Sequence, residues 1–373
     1  MFQRILYYSG NPIEIGFLIQ MKFLFKEFKP SDKPLSLIGK NASDDEFCSE
    51  ALKKVSRSFS VVIHQLPKEL QDPVQLFYLI LRGLDTVEDD MSLPEKRKDE
   101  LLTQFSSLIN QQEFSLTNVG DTQDYRDLMA NFEKVVRKYQ LLDEKYKVVI
   151  TDITERMATG MKKYAHTKVK SLHDWDDYCY YVAGLVGIGL SKLFLSSGIE
   201  TNSRLENEAL SNEMGLFLQK TNIIRDYAED LDQERIFWPS DVWSKYVFSI
   251  NQLQQNKEKG MVVVNELICN ALSHIPSCLE YLESLSNEKV FRFCAIPQLM
   301  AIETLKKLYC NELVLTENVK IRKGKTARFF MSKQNFKNVV SEFKKVLLEM
   351  NKIQKNEQIV TIINHIETTY GRK

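Results

Sequence analysis

Apolar residues recur at three- and four-residue intervals through most of this chain, the period of helices with one buried face. The pattern predicts helices over 44–54, 72–90, 94–110, 125–139, 143–163, 174–195 and 207–231, then over 252–273, from Pro276 onward, over 295–309 and, last, over 336–351. Turn signals at Ser9-Gly10-Asn11-Pro12 and between Lys29 and Pro34 mark residues 1–45 as an irregular leader. A polar loop near 118–124, a turn at Phe237-Trp238-Pro239 and a basic loop over 319–326 separate the later helices. With no internal repeat and no low-complexity linker, the economical organisation is that leader followed by one all-α domain over 46–373.

Composition narrows the class. Glycine (14) and proline (9) are few for 373 residues, as long helices require and many-stranded sheets do not. Fifty basic and fifty acidic residues cancel, which leaves no electrostatic footprint for nucleic acid. The six cysteines have no C-x-x-C spacing, so they read as reduced thiols, neither a disulfide framework nor a zinc site. No uninterrupted apolar run approaches a membrane span, and 15–25 lacks a cleavage site of small residues, so the expectation is a soluble chain.

Acidic pairs four apart arise by chance in a chain so rich in acids, but two stand in unusual surroundings. Tyr78, Arg82, Asp85 and Asp89 form one helical stripe bordered by Phe77, Leu79, Ile80, Leu81 and Leu84. Gln219, Asn222, Asp226 and Asp230 form a second, also flanked by hydrophobics. Like charges one turn apart repel, and a partly buried acidic stripe needs a cationic partner. A hard cation fits, and magnesium best, because it takes one or two carboxylates and completes its shell with water and phosphate oxygens. The bland reading is two solvated helix ends.

Four further segments carry chemistry or mimic it. Ser56-Arg57-Ser58-Phe59 precedes a helix and reads either as a cap or as a phosphate clamp. Within 176–190, Gly184, Gly187 and Gly189 interrupt a helical pattern, either for close packing or for a ligand or local break. Phe291 and Phe293 precede an expected kink at Pro297; they read as core or as rings facing a carbocation. Lys320, Arg322, Lys323 and Lys325 are four cations in six residues, a solvated run or an anion-binding loop.

Seven segments in order resemble the squalene synthases, the farnesyl-diphosphate farnesyltransferases. They are SRSF at 56–59, FYLILRGLDTVEDDM at 77–91, YCYYVAGLVGIGLS at 178–191, FLQKTNIIRDYAEDL at 217–231, RIFWP at 235–239, FCAIPQLMAIETL at 293–305 and VKIRKG at 319–324. The resemblance covers roughly 45–345 and leaves the leader out. It implies an all-α terpenoid-synthase (isoprenoid-synthase) fold with a central cavity between aspartate-rich helices. It also implies condensation of two farnesyl diphosphates to presqualene diphosphate, then NADPH-dependent rearrangement to squalene. Carried over by residue, Asp85, Glu88, Asp89, Asp226 and Asp230 would bind Mg2+. Ser56, Arg57, Tyr78, Arg82, Gln219, Asn222 and Arg225 would hold diphosphate. Tyr178 would assist the first half-reaction and take up a proton, Phe291 and Phe293 would shield the cation, and Lys320 and Arg322 would bind NADPH.

Eukaryotic members of that family usually continue into a C-terminal anchor in the endoplasmic reticulum membrane, whereas this chain ends at Tyr370-Gly371-Arg372-Lys373. The expectation is a monomeric, soluble truncation of an enzyme at the cytosolic face of that membrane. Phytoene or dehydrosqualene synthases, which omit the reduction, are the nearest rival; FCAIPQ and KIRKG resemble the reductive branch instead. A non-catalytic prenyl-binding helical protein is the rival of another class, and it has no need of two acidic stripes.

Overall fold

A computed structural model describes residues 16–18, 20, 21, 26, 28–56, 59–111 and 113–371. Among the described residues the regular structure is helical throughout, with no strand, as the apolar periodicity requires. The chain gathers into two compact units: residues 25–167 with 188–201, and residues 168–187 with 202–373 and 1–24.

The first unit is built around the helix Lys68–Asp89. Its buried face includes Leu70, Val74, Phe77, Leu81 and Leu84, and it packs on the helices Asp44–Val55, Phe132–Gln140 and Glu144–Ala165. Packing is close at Gly83, where an added Cβ would lie 2.6 Å from the Phe132 ring. Phe105, Phe114 and Phe132 meet edge-on behind it, with centroids 5.6 to 5.9 Å apart. The stretch expected to be irregular contains the helix Leu35–Asn41, which packs on Asp44–Val55 and Gln123–Ala130.

In the second unit the helix Glu208–Arg225 touches Lys257–Leu272, Ile275–Glu283 and Glu288–Leu308. It also packs on Tyr180–Gly184, a π-helical turn that interrupts the expected 174–195 helix between Leu172–Cys179 and Leu185–Ser197. The glycines explain the approach: a Cβ on Gly215 would lie 2.3 Å from the Ala183 carbonyl, and one on Gly187 2.4 Å from that of Ser211. Both readings of this segment are therefore realised, close packing and a local break.

Other expected helices also divide, at Asn131, Asp226 and Asn256. Short polar side chains at such positions compete with the helix ladder, which apolar periodicity does not register. Conversely, the helix Glu288–Leu308 continues through Pro297 and begins seven residues before the expected start at 295. The basic loop gives way to a helix at Lys323–Met331, and a helix Glu357–Tyr370 follows the one expected to be last. Among the described residues, two helical runs are long and apolar enough to cross a membrane, Leu172–Ser197 and Lys257–Glu283; they also supply buried core, as Leu267, Ile268 and Leu279 illustrate.

Candidate active site

In the first unit the predicted stripe is assembled on one helix. Arg82 Nη1 lies 3.4 Å from Asp85 Oδ2, and Arg82 Nη2 donates to the Tyr78 hydroxyl at 3.5 Å. Tyr78 in turn donates to the Val55 carbonyl at 3.3 Å. The guanidinium sits 5.8 Å from the Tyr78 ring centroid and 5.5 Å from that of Tyr125, and its buried Nε has no hydrogen-bond partner. An arginine held between two rings retains donor capacity for an anion. Burial pushes the Asp85 carboxyl up to about 6; Arg82 opposes this and Asp89 adds to it. Glu88 is raised as well, by burial first and then by Asp89 and Asp85.

The last acid of that run does something else. Asp90 is buried and accepts from the Ser92 N–H at 2.8 Å, the Ser92 hydroxyl at 2.6 Å and the Gly120 N–H at 2.7 Å. These bonds lower its pKa against the desolvation that raises it, so Asp90 fastens the chain beyond the helix. Ser56 is buried too, and its Oγ accepts from the Ser60 N–H at 2.9 Å, the capping arrangement of the bland reading. Arg57 lies outside the described residues.

In the second unit the helix divides at Asp226, yet Asp230 N–H still donates to the Asp226 carbonyl at 2.8 Å, so the two acids remain one turn apart. Arg225 grips Asp226 as a fork, Nε to Oδ1 at 2.8 Å and Nη2 to Oδ2 at 2.5 Å. Asn318 Nδ2 donates to Asp226 Oδ1 at 2.6 Å and to Glu229 Oε2 at 3.1 Å. Asp230 accepts from Arg235 Nη2 at 3.2 Å, but burial still pushes it up to about 6. Gln219 and Asn222 are both half-buried on the same helix.

Two residues that the sequence reading left without a role join Tyr178 to this stripe. The Tyr178 ring stacks on Phe237 with centroids 5.2 Å apart and planes 19° apart. Arg235 caps Phe237 at 5.8 Å from its centroid while it pairs with Asp230. The available signal was an arginine and an aromatic just beyond an acidic stripe. Phe291 and Phe293 are both buried, but two residues on an unbroken helix are about 200° apart, so they project from different sides of it.

The basic segment divides as well. Lys320 and Lys323 are exposed and Arg322 half-buried. Lys325 is committed to ion pairs, 2.7 Å from Glu303 and 2.9 Å from Glu342.

Among the described residues, no three His, Cys, Asp or Glu side chains form a group able to hold a metal alone. The carboxylates of each stripe would suit a hard cation that keeps most of its shell for water and phosphate, and their raised pKa values fit a site that takes up positive charge.

An all-α chain with an arginine-backed carboxylate stripe in each unit defines a class, and the match is specific: over residues 52–325 it fits the squalene/phytoene synthase family, to which the chain belongs. Within that family the chain is similar to several curated squalene synthases. That of Dictyostelium discoideum is 46% identical over 313 residues, 83% of this chain and 74% of that one. Squalene synthase 1 of Arabidopsis thaliana is 48% identical over 287 residues, 76% of this chain and 69% of that one. For the Schizosaccharomyces pombe enzyme the values are 44% over 305 residues, 79% and 66%. The solved structure of TcSQS with the ligand E5700 superposes at TM-score 0.84 with 39% identity, over 87% of this chain and 97% of that one. A dehydrosqualene synthase structure at 20% identity and TM-score 0.50 shares the fold alone.

Proposed function

We propose that this chain condenses two farnesyl diphosphates into presqualene diphosphate and then reduces and rearranges that intermediate to squalene, the first committed step of sterol biosynthesis. The observation that carries the reading is the contact series Tyr178–Phe237–Arg235–Asp230, which joins the tyrosine to a carboxylate stripe that a bridging cation would link to diphosphate.

The first step expels one diphosphate and one proton as a cyclopropane closes; the second expels the other diphosphate and adds a hydride. Arg82 and Arg225, with Arg57, hold phosphate oxygens, and Tyr78 keeps Arg82 in place. Asp85, Glu88 and Asp89 on one stripe, and Asp226 and Asp230 on the other, would hold Mg2+, which neutralises charge on the departing diphosphate. Tyr178 Oη handles the proton, its ring fixed by the Phe237 stack. Apolar side chains keep water from the carbocation, which it would convert to alcohols; of Phe291 and Phe293, which leave their helix on different sides, one would face it while the other packs behind. Lys320 and Arg322 would hold NADPH, the hydride donor that no side chain replaces. In the cell the enzyme works as a monomer on the cytosolic face of the endoplasmic reticulum membrane.

Product analysis by mass spectrometry tests the reading. With farnesyl diphosphate and Mg2+, we expect squalene when NADPH is present and presqualene diphosphate or its alcohols when it is absent. Dehydrosqualene under both conditions would move the chain to the non-reductive branch, and no Mg2+-dependent product from a folded sample would remove the activity.

A further inference from the structure

Lys220 stands next to Gln219 in the sequence, but its side chain is completely buried. A buried ammonium is tolerated only where its donors are met. This one has three N–H groups and three acceptors around it. It donates to Asn270 Oδ1 at 2.5 Å and to His274 Nε2 at 2.8 Å, and it is in ion-pair contact with the Asp176 carboxylate. The Trp175 ring centroid lies 4.9 Å from Nζ and adds a cation–π contact. An ammonium accepts no hydrogen bond, so His274 Nε2 is the acceptor and the imidazole proton sits on Nδ1, which donates to Glu213 at 2.6 Å.

Two of these partners belong to the helix that carries Tyr178. Leu172–Cys179 has only eight residues, too few to be stable alone in water, although Ser171 and Asp174 close a capping box at its start. Its buried side chains are Trp175 and Cys179, and it packs on Glu208–Arg225 and on the π-helical turn. Apolar contact is non-directional, so it fixes the rotation of a short helix less sharply than a directed contact does. The Lys220 contacts have direction. They grip Trp175 and Asp176, three and two residues before Tyr178, while Phe237 stacks on the Tyr178 ring itself. With three acceptors already around it and no exposed surface, the ammonium has nothing left for a phosphate oxygen.

We propose that Lys220 is a positioning residue: through Asp176 and Trp175 it sets the rotation of Leu172–Cys179, and so the place of Tyr178 Oη in the first half-reaction. The inference rests on reading Tyr178 as the residue that handles the proton of that step. It separates Lys220 from its neighbours Gln219 and Asn222, which are assigned to diphosphate. Loss of a phosphate contact raises KM for farnesyl diphosphate, whereas a misplaced Tyr178 lowers the rate at saturating substrate and leaves KM in place.

The test measures single-turnover formation of presqualene diphosphate, without NADPH, in the full chain and its variants, beside initial-rate KM values and melting curves. The variants are Lys220→Met, Asp176→Ala, and each of these combined with Tyr178→Phe. Lys220→Met keeps the apolar stem and removes the charge. Asp176 is half-buried, so Asp176→Ala breaks the same link from its outer end if the methionine form folds poorly. Each single variant should slow this step about tenfold at saturating farnesyl diphosphate, with KM within about twofold. Presqualene diphosphate supplied directly with NADPH should still give squalene within about twofold of the parent rate, which a general loss of fold would not allow. In the Tyr178→Phe background, neither substitution should slow the step by more than about twofold, because the residue being positioned has already lost its hydroxyl. Slowing of full size in that background would overturn the proposal and leave the role of Tyr178 intact. So would parent rates in both single variants, or a raised KM at an unchanged rate, which would make Lys220 a phosphate ligand. A Tyr178→Phe variant as fast as the parent would remove the reading of Tyr178 and the proposal with it.

Discussion

At the scale of single residues, the same side-chain type takes opposite roles a few positions apart. Asp85 is pushed up to about 6, chiefly by burial, while Asp90, five residues on, spends its carboxylate on three hydrogen bonds. Asp85→Asn and Asp226→Asn should therefore each lower turnover about 100-fold or more, the loss typical of removing charge stabilisation of a leaving group. Asp90→Asn should instead lower the thermal midpoint and leave kcat within about threefold, since it strands buried donors without touching the stripe. Steady-state rates beside melting curves check both; equal kcat losses at Asp85 and Asp90 would erase the distinction. Tyr178→Phe keeps the ring stack on Phe237 and removes only Oη, so presqualene diphosphate formation should fall about 100-fold or more with the fold retained. Single-turnover assays in the absence of NADPH decide this, and near-native rates would take Tyr178 out of the mechanism. The sequence already placed both stripes, because helical spacing fixes which residues share a face. It could not reveal that Lys325 is committed to Glu303 and Glu342, or that Asn318 reaches back to Asp226, because those partners lie 17 to 92 residues away along the chain.

At the scale of elements, apolar periodicity located most helices and missed where they break. The 207–231 pattern is continuous, yet the helix divides at Asp226, and the 174–195 pattern conceals the π-helical turn Tyr180–Gly184. Periodicity reports which face is buried, whereas a break depends on local competition for backbone hydrogen bonds and on what the neighbouring helix allows. The final helix, Glu357–Tyr370, was missed although its signal is in the sequence: Asn356 caps it, and Ile359, Ile362, Ile363 and Ile366 are buried at helical spacing. Gly215 shows how an element is fixed from outside, since any Cβ there meets the Ala183 carbonyl at 2.3 Å. Gly215→Ala must push the Tyr180–Gly184 turn away from Glu208–Arg225, at a cost of about 1–3 kcal/mol. Because Tyr178 lies just before that turn, its first half-reaction should slow more than the melting shift alone explains. A variant equal to the parent in both melting and rate would show that the turn does not depend on this contact.

At the scale of the whole molecule, the raised carboxyls tie protons, cation and stability together. Asp85 and Asp230 are pushed up to about 6, largely by burial, and Glu88 is raised too. A carboxyl whose folded pKa exceeds its unfolded value binds its proton more tightly in the folded state. Asp85 and Asp230 therefore weaken the fold fully above pH 6, and Glu88 only above about 8; the penalty is relieved as pH falls from those values toward the ordinary range near 4. In EDTA, this contribution should make the chain more stable at pH 5.5 than at pH 7.5. If the ionised carboxylates hold Mg2+ as proposed, it should raise the melting temperature at pH 7.5 and do so much less at pH 5.5, where it competes with protons. The same competition should steepen the loss of turnover below pH 6, with more than one proton taken up and partial rescue by excess Mg2+. Asp85→Asn and Asp230→Asn each remove one raised group, so each should flatten the pH dependence of melting in EDTA. A Mg2+-induced shift of equal size at pH 5.5 and 7.5 would mean that the cation is held by groups other than these carboxylates, however well the two stripes are placed to receive it.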